Sequence, residues 1–144
     1  MSQLNREAAT AILATGFDAC TDISEFGLLG HLREMAAGSG FGTRVNWNAV
    51  PVLDAVWELV RQDCIPDGTQ NNLDYLTGFV EWGENVPEEA QIVLCDAQTS
   101  GGLLMAVPPD KVAALQAALA QTPSPGEVIG EIIPAPEGQI QVIA

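Results

Sequence analysis

Basic residues are scarce in this sequence: five Lys plus Arg stand against nineteen Asp plus Glu, a net charge of −14 over 144 residues. A surface of that sign repels polyanions, which argues against nucleic acid and anionic membranes as partners. Cysteine is sparse too, with only Cys20, Cys64 and Cys95 and no C-x-x-C pair. Neither a disulfide framework nor a zinc knuckle can be built from such positions, and a cytoplasmic, reducing location suits them. His31 is the single histidine, and without a second His or Cys at ligand spacing it reads as a packed or surface residue rather than a metal ligand. No apolar run approaches the ~20 residues of a membrane span, and no apolar segment follows basic residues at the N-terminus as a secretory leader requires. Internal repeats and low-complexity tracts are also missing.

What is present is globular. Hydrophobic residues make up 47%, with Gly 14 and Pro 9, and the length suits a single domain over residues 1–144. Apolar spacing predicts helices from Leu4 to about Ala14, from Asp22 onward with Leu28, Leu29, Leu32, Met35 and Ala36 as its stripe, from Leu53 to Gln62, and from Asp110 to Ala120. Strands are expected at Phe17 to Thr21, Thr43 to Trp47, Gln91 to Cys95, Leu103 to Val107, Val128 to Ile133 and Gln139 to Ile143. Pro66, Gly68, Gly78, Gly83 and Pro87 break any period between residues 64 and 89, which reads as a long ordered loop of the kind that is often functional. The order αβαβα, loop, ββαββ does not alternate as βαβ units do, so the fold class is α+β, a mixed sheet packed with helices.

Three segments carry side chains with chemical potential. In Cys20-Thr-Asp-Ile-Ser-Glu-Phe-Gly-Leu-Leu-Gly-His31, Asp22 stands where a strand gives way to a helix and offers a carboxylate to a hard cation such as Mg²⁺. Asp22 with Glu25 three residues on also fits a helix-capping box, and both readings stand. In Asp96-Ala-Gln-Thr-Ser-Gly-Gly102, hydroxyls followed by glycines can present donors to an anion, though a tight hairpin turn uses the same residues. Pro66-Asp-Gly-Thr-Gln-Asn-Asn72 is rich in donors and acceptors, as a solvated turn also is. From Gln62 to Asp110 there are nine acids and no Lys or Arg, so a phosphate held by these segments needs cations from elsewhere.

Taken together and in order, the segments resemble the C-terminal domain of selenophosphate synthetase (selenide, water dikinase), within the aminoimidazole ribonucleotide synthetase-like superfamily. Leu4-Asn5-Arg6 before an alanine-rich helix, Ala19-Cys-Thr-Asp-Ile-x-x-Phe-Gly-Leu-Leu-Gly-His31, Pro66-x-Gly-Thr-x-x-Asn72 and Asp96-x-Gln-Thr-Ser-Gly-Gly-Leu-Leu104 follow that family's run over nearly the whole chain. The resemblance implies an aminoimidazole ribonucleotide synthetase C-terminal-domain-like fold and an ATP- and Mg²⁺-dependent enzyme that converts selenide, ATP and water into selenophosphate, AMP and phosphate. Selenium metabolism, and selenocysteine biosynthesis in particular, would consume the product. It also implies Asp22 as a metal ligand, and Gly68, Thr69, Asn72, Gln98, Thr99, Ser100, Gly101 and Gly102 as residues lining the nucleotide cleft.

The family's N-terminal ATP-binding domain, with its reactive Cys or selenocysteine and Lys, is expected to be absent from this chain. The chain is therefore expected to be catalytically incomplete alone, with that domain as its partner and the full-length enzyme a homodimer. Cys20, expected in a buried strand, is no substitute nucleophile. Departures from the family pattern are Ser24-Glu25 for Thr-Gly, Asp67 for Gly, and Gln70 and Asn71 for Arg, each removing a small residue or a cation. These changes are what a stand-alone binding or regulatory module that lost catalysis would carry. A sibling enzyme of the superfamily, such as aminoimidazole ribonucleotide synthetase or thiamine-monophosphate kinase, shares the two-domain plan but fits the Asp-x-Gln-Thr-Ser-Gly-Gly run less well.

Overall fold

The computed structural model describes residues 4–124 and 126–144. α1 (Arg6–Thr15) gathers Ala8, Ala11 and Ile12 into one buried stripe, which packs on Leu115 and Leu119 of α6 (Pro109–Leu119). Leu103 and Met105 of β4 (Leu103–Ala106) close this smaller core. β4 pairs antiparallel with β1 (Ala19–Asp22), from Ala19 opposite Ala106 to Asp22 opposite Leu103.

A second, larger core lies under a four-stranded sheet of order β3-β6-β2-β5, formed by Val80–Trp82, Ile140–Ile143, Gly42–Asn46 and Gly130–Ile133 respectively. β3 and β2 run parallel to β6, whereas β5 runs antiparallel to β2, so the sheet is mixed. Val45, Ile140 and Val142 meet Leu29 of α2 (Gly27–Ser39), Leu76 of α4 (Asp67–Leu76) and Leu94 of α5 (Glu88–Leu94). Full burial of a side chain such as Leu29, at 0% exposure, contributes about 1.5–3 kcal/mol. On the opposite face of the sheet, Arg44 pairs with Glu131 at 2.8 Å and donates to Gln141. The result is an α+β fold, a mixed sheet with helices packed against it.

Several local expectations need correction. Residues 64–89 are not a loop, because they contain α4 and β3. The buried positions of α4 are Thr69, Asn72 and Leu76, a helical period carried mostly by polar side chains and therefore invisible to an apolar pattern. Gln91 to Cys95 is not a strand but most of α5, where Ala90, Val93 and Leu94 are buried at helical spacing and Pro87 sets the N-terminus. A short apolar run fits either period, and here the helical one wins. α2 starts at Gly27 rather than at Asp22, and the helix expected over Leu53 to Gln62 is the shorter α3 (Val56–Arg61), which leaves Leu53 outside it and 80% exposed. Cys20 is exposed rather than buried, because side chains of β1 alternate and Cys20 and Asp22 share its solvent face. No helix among the described residues is long and apolar enough to cross a membrane.

Candidate functional site

The three segments singled out by their side chains meet at one end of the β1·β4 ribbon. Asp22 ends β1, and its exposed carboxylate has no hydrogen bond or ion pair among the described residues. Helix capping does not explain it, since the residue at the N-cap of α2 is Phe26 and no side chain caps that end. Beyond Asp22 the chain crosses to α2 through residues 23–26, and this crossing is laced to the segment between α5 and β4. Ile23 N–H donates to Gly102 O at 3.0 Å, Gly101 N–H to Ile23 O at 3.0 Å, and Gln98 N–H to Ser24 O at 3.0 Å.

Glycine makes the close approach possible at two positions. Gly27 has φ +67, and a Cβ there would lie 2.7 Å from the backbone carbon and oxygen of Cys95. A Cβ at Gly101 would lie 2.7 Å from Ile23 O. The Asp96–Gly102 stretch joins a helix to a strand, so it is not a hairpin turn, and its glycines serve this interlock instead.

α4 approaches from the core side. Thr69, at 0% exposure, donates through Oγ1 to Asp96 Oδ1 at 2.8 Å and accepts from Ala97 N–H at 3.2 Å. Asn72, also buried, spends both amide hydrogens on carbonyls from the two joined segments, Glu25 O at 2.8 Å and Cys95 O at 2.9 Å. Gly68 leaves 3.1 Å between its would-be Cβ and the Ala97 methyl, so α4 sits close. The residues that face outward are Asp22, Thr99, Ser100 and Gly102, while Gln98 and Gly101 are half-buried.

Sequence reasoning assigned no role to Ser24 or Asp96, and left Asn5 inside a motif. Ser24 Oγ lies 3.1 Å from His31 Nε2, and His31 is buried with Nδ1 3.6 Å from Glu34. His31 is thus a packed histidine. Asn5 donates through Nδ2 to Gly101 O at 3.3 Å, tying the start of α1 to the same rim. Hydrogen bonds from its own backbone amide, then from Ser24, hold the exposed Glu25 carboxyl below the ordinary carboxylate value. Partial desolvation, then the charge of Asp22, pushes the Cys20 thiol up, the opposite of an activated nucleophile. Burial pushes the Cys95 thiol up to about 12. Among the described residues no three His, Cys, Asp or Glu side chains cluster as a metal site, so Asp22 stands as a solitary ligand candidate.

The rim thus presents the exposed Asp22 carboxylate beside the exposed Thr99 and Ser100 hydroxyls, with the exposed Glu25 carboxyl on the same crossing. Comparison with known proteins gives this fold and site a family. The chain belongs to the family described as AIR synthase related protein, C-terminal domain, whose model matches residues 1–143. More particularly, it is homologous to the C-terminal part of selenide, water dikinase. It is 38% identical over 145 residues to that protein from Escherichia coli (strain K12), an alignment covering 99% of this chain and 40% of the relative. With the selenide, water dikinase of Clostridium botulinum (strain Eklund 17B / Type B) it shares 35% over 133 residues, 92% of this chain and 39% of the relative. The chain thus spans about two fifths of the length of these relatives. A crystal structure of hydrogenase maturation protein HypE shares the fold, with a TM-score of 0.59, 22% identity, and coverage of 96% of this chain and 37% of that one.

Proposed function

We propose that this chain is the C-terminal domain of an ATP- and Mg²⁺-dependent selenophosphate synthetase, which turns selenide, ATP and water into selenophosphate, AMP and phosphate. The observation that supports it is the convergence of Asp22, the α4 segment and the Gln98–Gly102 segment on one rim, held by hydrogen bonds among three stretches far apart in sequence. The donor set fits the metal. Mg²⁺ takes one or two protein carboxylates and completes its shell with water and phosphate oxygens, and Asp22 is a carboxylate with no competing partner among the described residues. When bound, the ion would neutralise phosphate charge and polarise the transferring phosphoryl group. Asp22 would hold the ion, the Thr99 and Ser100 hydroxyls would donate to ligand oxygens, and the half-buried Gln98 and Gly101 would support them.

The remaining metal carboxylates and the nucleophile belong to an ATP-binding domain that acts with this one, in a homodimeric, cytoplasmic enzyme. Three unpaired thiols accord with that compartment. The test is a chimera in which this chain replaces the matching part of the Escherichia coli selenide, water dikinase. The chimera is expected to make selenophosphate and AMP, and the chain alone none. In the chimera, Asp22→Asn is expected to weaken Mg²⁺-dependent ATP binding, and an unchanged Mg²⁺ dependence would remove Asp22 from the site.

One observation favours a second reading, a binding or regulatory module without catalysis. Glu25, Gln70 and Asn71 place acidic or neutral exposed groups along segments where the resembled family has glycine and arginine. A folded chimera that binds ATP but makes no selenophosphate would support that module.

A further inference from the structure

We propose that Thr69 and Asn72 are positioning residues: from inside α4 they hold the Asp96–Gly102 segment against the 22–27 segment and so set the spacing between Asp22 and the outward hydroxyls. The inference rests on reading this rim as the metal–nucleotide site. It also changes what those two side chains do, because both are buried and every donor they have is already used within the protein.

The geometry separates this role from plain packing. Thr69 is fully enclosed, yet its hydroxyl bonds both the side chain of Asp96 and the backbone N–H of Ala97, the two residues that begin the helix-free link to β4. Asn72 reaches one carbonyl on each of the two segments, so a single side chain fixes the distance between Glu25 and Cys95. Downstream, the backbone bonds of Gln98 to Ser24 and of Gly101 to Ile23 continue the same seam toward Thr99 and Ser100. Losing the Asn72 amide would take a donor from the Glu25 and Cys95 carbonyls, and losing the Thr69 hydroxyl would take a donor from the Asp96 carboxylate and the acceptor from Ala97 N–H, which biases the whole seam toward opening. A rim that is already ordered loses less entropy when a ligand binds, and this is how such struts act on affinity.

The test is amide hydrogen exchange on the 144-residue chain with paired substitutions. Thr69→Val keeps the shape and removes the hydroxyl, whereas Thr69→Ser keeps the hydroxyl. Exchange at Ala97, Gln98 and Gly101 is expected to accelerate roughly tenfold in Thr69→Val, as the loss of one charge-assisted bond implies. Amides of Thr43 and Ile140 in the large sheet should keep their rates, and Thr69→Ser should restore the rim. Asp96→Ala against Asp96→Asn repeats the comparison at a half-buried position where folding is not at stake, with loosening expected only for the alanine variant. In the chimera, Thr69→Val should raise the KM for Mg²⁺–ATP roughly tenfold while kcat changes by less than about threefold. Unchanged rim exchange in both Thr69→Val and Asp96→Ala, or equal damage from Thr69→Ser and Thr69→Val, would overturn the proposal. An inactive wild-type chimera would overturn the enzymatic reading alone, since the exchange measurements decide the strut independently.

Discussion

Gly27 and Gly38 lie on the same helix, and the same substitution should move stability in opposite directions at the two. At Gly27, alanine meets φ +67 and a Cβ position 2.7 Å from the Cys95 carbonyl and 2.8 Å from Asp96 O. The left-handed backbone costs an L-residue about 1–2 kcal/mol. Backbone cannot rotate away as a side chain tip can, so relieving the clash adds about 1–3 kcal/mol. Gly27→Ala should therefore destabilise by about 2–5 kcal/mol, out of a typical total of about 5–15 kcal/mol, and lower Tm by about 10 °C. Gly38 has an ordinary φ within α2 and nothing within 4 Å of its would-be Cβ. Gly38→Ala should stabilise by about 0.5 kcal/mol, through the smaller entropy of the unfolded chain. Urea unfolding of the two variants beside the parent chain measures both. A Gly27→Ala protein within about 0.5 kcal/mol of the parent would refute the interlock of the two rim segments, because it is the Cys95–Asp96 backbone that the new methyl must displace.

Asp22→Ala should leave stability within about 0.5 kcal/mol, since its carboxylate has no partner among the described residues, whereas loss of a helix cap would cost about 1 kcal/mol in the same unfolding assay. Cys20 and Cys64 should react with an aromatic disulfide reagent in the native chain and Cys95 only after unfolding, which titration of released chromophore would count. Because burial pushes the Cys95 thiol up from 9.0 to about 12, the unfolded state loses that proton first and stability falls as pH rises from 9 to 12, by about 1.4 kcal/mol per unit. Alkaline unfolding curves should be flatter for Cys95→Ala. Arg33→Lys should cost about 1 kcal/mol, read by urea unfolding, because the guanidinium lies 3.8 Å over the Phe79 ring and donates to Tyr75 at 2.7 Å.

The fold was legible wherever burial and apolarity coincide. Leu28, Leu29, Leu32 and Ala36 mark α2 and Leu115 and Leu119 mark α6, because those residues make the cores. Legibility failed where polar residues are buried. Thr69 and Asn72 sit at core-facing positions of α4, so the helix that places them looked like a loop. The exchange was informative, since a helix spends polar residues on its inner face where something beyond packing must be held. For Asp22, the local pattern left capping and metal binding open, and only the distance between β1's end and α2's start excludes the cap. Ser24 and Asp96 were undetected because their roles lie in bonds across 7 and 27 positions of sequence, which no local spacing encodes.

Charge gives the proposed site its remaining logic. Four of the five basic residues have neighbours outside the rim segments: Arg33 is stacked on Tyr75 and Phe79, Arg44 is paired with Glu131, Arg61 lies by Glu58, and the Lys111 ammonium lies beside Gly16. Arg6 alone follows a residue in contact with the rim, Asn5. A polyphosphate approaching Asp22 and Glu25 would therefore meet like charge with little to offset it. In the proposed enzyme, a divalent cation shared between Asp22 and the phosphates would reverse that sign, and cations on a partnering ATP-binding domain would supply the rest. An Asp22 carboxylate without a partner among the described residues fits that need. A salt bridge from an arginine at this rim would stabilise the isolated domain slightly, and it would compete with the metal for the one side chain placed to hold it.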